Sequence, residues 1–408
     1  MGELASEFPD VAFIPVESLA DKDTVIVQNG NEREVPTNYT VDHLADPDLP
    51  LAIFYTSGTT GAAKGVLLSH GNMLVQAQAK CNHIGYGPGT RYLHAAPLYH
   101  VGGFNSSIAI TIAGGLQIFC GAFSPSRFLS AIPYHAINTL VMVPTALQLL
   151  LDETQRHQLP PLPLIHTILY GGNPMNPSLL IQLRSHFPHA QIIQAYGMTE
   201  TTSSITFLRH THSGNTSLDL TVGHAPDHVD IKIDPIGSAL GLGEILTRGP
   251  HVMLEYWGRP QETQEAFRPG GWFRTGDLGR FEESRGVLTI EGRMKDMVKT
   301  GGENVLCAEV ERVLMEYPGV SLAVVFGVPD PIYVEVVVAA VVIRPGGTVS
   351  RQGLSNKLIL HCRTSLARFK VPRHVWIVDA HEVPVNASGK VLKHVLRLRL
   401  QGRHRSRM

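Results

Sequence analysis

Nine consecutive residues of this chain, Thr56, Ser57, Gly58, Thr59, Thr60, Gly61, Ala62, Ala63 and Lys64, interrupt an apolar run that resumes at residues 66–68. Counting Gly65, three glycines fall in a very short stretch, as a backbone needs when it must come close to another group. Four hydroxyls and one ammonium suit an anionic neighbour. Consecutive amide N–H groups in such a loop form a concave nest, and a polyphosphate is its natural occupant. A flexible linker would not stand between two strand-like runs. The P-loop motif needs Gly-Lys followed directly by Ser or Thr. Here Lys64 sits between Ala63 and Gly65, so that motif is excluded. The flanks read strand–loop–strand, with a helix starting only near residues 69–73.

Four other clusters carry chemistry-capable side chains. Tyr196, Gly197, Met198, Thr199 and Glu200 follow the apolar run 191–195 directly. A hydroxyl and a carboxylate at the C-terminal end of a parallel strand stand where α/β sheets bind ligands. Alone, Glu200 also reads as a charge at a helix N-terminus. Asp277, held between Gly276 and Gly279, is a short-armed acceptor of the kind that takes the paired hydroxyls of a ribose. Thr-Gly-Asp by itself is equally a common turn. Arg293, Lys295 and the Gly301-Gly302 pair lie at a break in composition. Lys390 follows Gly389 on a turn, an ordinary surface feature when taken alone.

The elements that must position these groups follow from the patterning. Runs 139–143, 167–170 and 191–195 alternate with helical stretches such as 145–153, which implies a largely parallel sheet. Short strands bounded by Gly and Pro from 223 to 290 read as a small β-subdomain. After Arg293 the pattern restarts, with helices over 304–316 and 354–366 and strands over 322–326, 334–343 and 375–378. The fold class is therefore α/β, with a large N-terminal domain over 1–294 and a small α+β C-terminal domain over 295–408.

The 408 residues are 43% hydrophobic and 17% charged, with a net charge of −1. Such a balance suits two or three globular domains and argues against nucleic-acid binding driven by overall charge. The basic stretch from Lys390 to Arg407 reads as a solvated helix and tail. Four cysteines without Cys-x-x-Cys spacing suggest neither zinc nor disulfides, so a reducing compartment is expected. None of the 20 histidines falls in a His-Glu-x-x-His pattern. The longest apolar region, 108–123, is too short and too interrupted by Gly114, Gly115, Gln117 and Gly121 for a membrane span. No secretory signal pattern is present.

Taken together, these strings resemble the adenylate-forming superfamily of acyl-CoA synthetases, luciferases and the adenylation domains of peptide synthetases. Its loop usually reads Thr-Ser-Gly-Thr-Thr-Gly-x-Pro-Lys-Gly, and Ala63 here replaces the proline. The strings at 92–97, 195–204, 245–251, 299–305, 360–364 and 369–372 further resemble the plant and algal 2-succinylbenzoate–CoA ligases of phylloquinone synthesis. Residues 331–335 depart from the family string, which has glycine before the glutamate that stands here as Glu335.

The resemblance implies ATP, Mg2+ and coenzyme A, with a small carboxylic acid as the other substrate. Thr56, Ser57, Gly58, Thr59, Thr60, Gly61 and Lys64 would hold the triphosphate. Gly172, Tyr196, Gly197, Asp277 and Arg293 would meet the rest of the nucleotide. Thr199 and Glu200 would act in catalysis, Glu200 also holding Mg2+. Lys390 would meet the carboxylate and α-phosphate. His100, Gly103, Gly171 and Ser203 would line the acyl pocket, His100 as a gate or as a hydrogen-bond donor to the acid. Gly301 and Gly302 would line the pantetheine channel, and Lys295 would be the hinge of a mobile C-terminal lid.

Family members usually carry well over a hundred residues before the loop and this chain has 55, so a first part is expected to be missing. The alternatives to a 2-succinylbenzoate ligase are another aryl or fatty acid–CoA ligase, an adenylation module feeding a carrier protein, or a non-catalytic nucleotide-binding fragment. A plastid is implied by resemblance only, with the cytoplasm as the alternative.

Overall fold

Thr139–Met142 is buried at every position, as a parallel strand covered on both faces must be. The computed structural model describes residues 46–56, 63–210, 221–236, 241–344, 350–385 and 391–405, together with the backbone of the strand Val25–Val27. The chain gathers into two units, residues 1–47 with 73–193 and residues 48–72 with 194–408.

In the first unit, Arg91–Leu93 pairs in parallel with both Leu116–Phe119 and Thr139–Met142, and the latter pairs in parallel with Thr167–Gly171. Each crossover is a helix, as parallel strands require. Pro125–Tyr134, Pro144–Arg156 and Pro177–His186 bury Phe128, Ile132, Leu147, Leu150 and Leu183 with Ile118, Leu140 and Ile168 of the sheet. All three helices begin on proline, whose missing N–H costs nothing in a first turn. The expected strands and the 145–153 helix are thus present, the helix extended by a turn.

Helix His70–Ile84 carries one conflict into this unit. Lys80 is fully buried, and its Nζ donates to Ser106 Oγ at 3.0 Å and to the Gly102 carbonyl at 3.3 Å. No carboxylate among the described residues pairs with it. Burial pushes its ammonium down to about 7 from an unfolded value of 10.5. The unfolded chain therefore holds a proton between these values that the folded chain lacks, so this site's cost is full below pH 7 and relieved as pH rises toward 10.5. The shift corresponds to about 5 kcal/mol, and Ser106 Oγ and the Gly102 carbonyl keep each other as hydrogen-bond partners at 2.7 Å when the ammonium is removed. Lys80→Met should therefore raise the melting temperature at pH 7, with the gain shrinking by pH 10. A gain equal at both pH values would contradict the assignment.

The second unit contains three sheets. Pro50–Thr56, Lys64–Ser69 and Glu255–Tyr256 form a small antiparallel one. A larger antiparallel sheet includes Thr221–His224, Val287–Arg293, Trp272–Glu282, Gly243–Arg248 and Asp230–Pro235. The third joins Val320–Asp330, Val334–Ile343, His374–Val378, Met297–Thr300 and Glu303–Leu306. Val334–Ile343 is apolar almost throughout because both of its faces are covered. Val337, Ala339 and Val341 pack with Val310, Leu314, Leu354 and Leu358 of the helices Cys307–Glu316 and Leu354–Ser365. Val336, Val338, Ala340 and Val342 pack with Leu396 and Leu400 of Lys393–Arg405.

Two expectations are corrected here. The basic C-terminal segment is not simply a solvated helix, since its leucines close one face of this sheet. The expected helix over 304–316 begins only at Cys307. Residues 303–306 instead return along Met297–Thr300, with Thr300 paired to Glu303 across Gly301 (φ 59°) and Gly302 (φ 86°). Two successive positive φ angles make the tight hairpin turn that glycine favours. Among the described residues, no helix is long and apolar enough to cross a membrane.

Candidate active site

Tyr196 ends the strand Gln191–Tyr196, and its hydroxyl donates to Asp277 Oδ2 at 2.9 Å. Asp277 Oδ1 takes an ion pair from Arg293 Nε at 3.0 Å, the two residues being register partners on adjacent strands. Asp277 is 4% exposed. Burial first, and the Asp277 carboxylate next, hold the Tyr196 phenol well above its ordinary range, so it remains a donor. Asp277 lies within the strand Trp272–Glu282, not on the free turn that Thr-Gly-Asp suggests. Gly276 (φ 68°) kinks that strand opposite a register shift between Glu244 and Leu246, and such an irregularity re-aims the side chain that follows.

After Tyr196 the backbone turns sharply. Thr199–Thr201 is a single 3-10 turn, closed by Thr201 N–H to the Met198 carbonyl and by Met198 N–H to Thr201 Oγ1. Thr202 (φ 52°) and Ser203 (φ 108°) both stand in the left-handed region, which costs free energy for residues other than glycine. Thr202 Oγ1 donates to the His251 carbonyl at 2.9 Å and helps hold the turn. A Cβ on Gly197 would lie 1.9 Å from the Ser203 carbonyl oxygen, so only glycine fits there. Thr199 and Glu200 are half-buried on this turn.

Lys64 opens the strand Lys64–Ser69 opposite Thr56, whose Oγ1 donates to the Lys64 carbonyl at 3.4 Å. The strand–loop–strand reading is thus present at its two ends. Ser57, Gly58, Thr59, Thr60 and Gly61 lie outside the described residues, as does Lys390. Lys64 Nζ stands 4.6 Å from the ring centre of Tyr256, whose hydroxyl donates to Glu200 Oε1 at 2.9 Å. Burial, and then Glu200, raise the Tyr256 phenol, which keeps its proton.

Sequence reasoning missed Tyr256. It lies on a two-residue strand without periodicity, and only its pairing with Val66 brings it beside Lys64.

Glu200 is the residue that fits a magnesium ion. One of its oxygens is held by Tyr256, and among the described residues the other takes no partner. No group of three His, Cys, Asp or Glu side chains could hold a metal among the described residues. That donor set suits Mg2+, which typically takes one or two carboxylates and completes its shell with water and substrate phosphates.

The remaining expected residues lie elsewhere. In the first unit, His100 caps the helix Val101–Ile112, its Nδ1 accepting from Gly102 N–H at 3.1 Å. Gly103 is demanded by packing, since a Cβ would meet the Pro97 carbonyl oxygen at 2.4 Å. Gly171 ends a strand of that unit, and Gly172 (φ 81°) follows it. In the second unit, Ser203 Oγ lies 3.3 Å from Ser204 Oγ. Lys295 is exposed on the 3-10 turn Met294–Asp296, between the larger antiparallel sheet and the Gly301-Gly302 hairpin.

Residues 6–257 match the model of the AMP-binding enzyme family, and residues 309–390 match that of the AMP-binding enzyme C-terminal domain. The chain belongs to the AMP-binding enzymes. Within them it groups with the acid–thiol ligases. It is 35% identical over 378 residues to the 2-succinylbenzoate–CoA ligase, chloroplastic/peroxisomal, of Arabidopsis thaliana, covering 86% of this chain and 67% of that protein. It is 34% identical over 364 residues to a feruloyl-CoA synthase of an Amycolatopsis species, covering 86% and 72%. Its structure resembles the O-succinylbenzoate coenzyme A synthetase of Bacillus subtilis, solved in complex with ATP and magnesium ion. The TM-score is 0.74 at 33% identity, covering 86% of this chain and 70% of that one. This AMP-binding enzyme thus has the mixed α/β fold expected of it, including the small C-terminal α+β region.

Proposed function

We propose that this AMP-binding enzyme joins a carboxylic acid to coenzyme A through an acyl-adenylate, releasing pyrophosphate and then AMP, and that the acid is 2-succinylbenzoate. One observation carries the reading: residues from separate strings meet as two contact chains, Lys64–Tyr256–Glu200 and Tyr196–Asp277–Arg293, joined by one tight turn. The first offers a cation for phosphate and a carboxylate for magnesium. The second offers a fixed acceptor for ribose hydroxyls.

The roles follow from charge. A carboxylate is a poor acyl donor and must attack an α-phosphate that is itself anionic. Bound magnesium neutralises phosphate charge. Thr56, Ser57, Gly58, Thr59, Thr60, Gly61 and Lys64 grip the triphosphate. Gly172, Tyr196, Gly197, Asp277 and Arg293 bind the rest of the nucleotide, and Thr199 and Glu200 complete the catalytic turn. Lys390 screens the charge that develops during displacement. His100, Gly103, Gly171 and Ser203 contact the acid. Rotation about Lys295 exchanges Lys390 for the Gly301-Gly302 hairpin, which then admits the thiol.

The likeness to the Arabidopsis ligase supports 2-succinylbenzoate and a plastid location. The likeness to a feruloyl-CoA synthase at almost equal identity supports an aryl acid as the second reading. A panel of acids scored by pyrophosphate release decides between them. The expected result is release with 2-succinylbenzoate well above that with ferulate, benzoate or fatty acids. Release only with another acid would replace the substrate, and release with none would remove the ligase reading for this chain.

A further inference from the structure

Tyr256 does more than pack. Residues 250–257 form a strap along the strand that starts at Lys64, with Leu254 N–H donating to the Leu67 carbonyl at 3.0 Å and Trp257 N–H to the Gly65 carbonyl at 2.7 Å. Asn72 anchors the strap. Its Nδ2 donates to the carbonyls of Pro250 and Val252 at 2.7 and 3.0 Å, while its Oδ1 accepts from Ser69 N–H at 2.8 Å. The strap then grips Glu200 twice: Met253 N–H donates to the Glu200 carbonyl at 2.8 Å, and the Tyr256 hydroxyl donates to its carboxylate.

Lys64 and Glu200 both contact the one side chain of Tyr256. Tyr256 stands between them, offering its ring face to the cation and its hydroxyl to the anion. Among the described residues, no carboxylate lies within ion-pair distance of Lys64, and Glu200 keeps one oxygen without a partner. Neither charge is spent on the other.

We propose that Tyr256 is a positioning residue that holds Lys64 and Glu200 apart, leaving the ammonium for phosphate oxygens and the carboxylate for the divalent cation. This rests on the ATP reading above. The two halves of the side chain have separable effects. The hydroxyl aims Glu200 and should act on metal affinity alone. The ring seats Lys64 and should act on phosphate affinity whether or not metal is present.

The test is calorimetric, with the 408-residue chain and no acid, so turnover does not enter. ATP is titrated in EDTA, and Mn2+ is then titrated at saturating ATP. Tyr256→Phe should weaken Mn2+ about tenfold and leave metal-free ATP binding unchanged. Tyr256→Leu should also weaken metal-free ATP binding by about three- to fivefold. Unchanged Mn2+ affinity in Tyr256→Phe would overturn the proposal, as would equal losses with and without metal. If Tyr256→Leu fails to fold, Tyr256→Phe decides alone. Wild-type chain that binds no ATP under either condition would sink the nucleotide reading itself, an outcome distinct from variants that match a binding wild type.

Discussion

Lys390→Ala should slow acid-dependent ATP–pyrophosphate exchange by about 10²–10³-fold, the loss typical of removing one donor aimed at a transition-state oxygen. Thioester formation from supplied acyl-adenylate and coenzyme A should be spared. The asymmetry follows from the proposed lid: adenylation needs the lysine inside, whereas thiol attack takes place after rotation about Lys295 has carried it away. The two half-reactions are measured separately, by isotope exchange and by thioester appearance. Equal loss in both would refute the hinge assignment, because a lysine fixed in one place would serve both steps or neither.

The second large effect is expected at a residue without a side chain. Gly197→Ala would place a methyl group 1.9 Å from the Ser203 carbonyl oxygen and 2.7 Å from the Ser204 Cα. Backbone lies on that side, so the turn itself must move. Thr199 and Glu200 ride on that turn, and a displacement of about 1 Å at a catalytic group costs on the order of 10²-fold in rate. Overpacking of this kind also costs about 1–3 kcal/mol of stability. Gly87→Ala is the control, since nothing lies within 4 Å of a Cβ there. Pyrophosphate exchange and thermal melts of both variants check the claim. Wild-type exchange in Gly197→Ala would mean that the turn tolerates displacement and that Glu200 is not held for catalysis.

Much of the fold was legible because its signals are local. The parallel strands announce themselves as short apolar runs, and the helical pattern over 145–153 lies within its own sequence neighbourhood. The run 334–343 coincides with its strand to the residue, because both faces are covered and its buried positions, 336–342, had to be apolar or small. Local signals misled where a longer-range partner won. Residues 304–306 have a helical context, yet hydrogen bonding to Met297–Thr300 through the two-glycine turn makes them a strand. The C-terminal helix looked polar because its basic residues outnumber the two leucines that count. Leu396 and Leu400 lie one turn apart on one face, and that stripe closes a core.

At the candidate site, sequence alone determined which kinds of group are available. A glycine-rich hydroxyl loop ending in lysine, a carboxylate after an apolar strand, an aspartate between glycines and an arginine beyond it are matters of residue type and short spacing. Tertiary structure decided which of them touch. Tyr196 and Asp277 are 81 positions apart, and Tyr256 and Glu200 are 56 apart. Periodicity fixes the face on which a side chain stands but does not say which strand lies beside it. That choice depends on closing sheets and burying cores across the whole unit, and so the tyrosine between the lysine and the glutamate became visible only once the chain was folded.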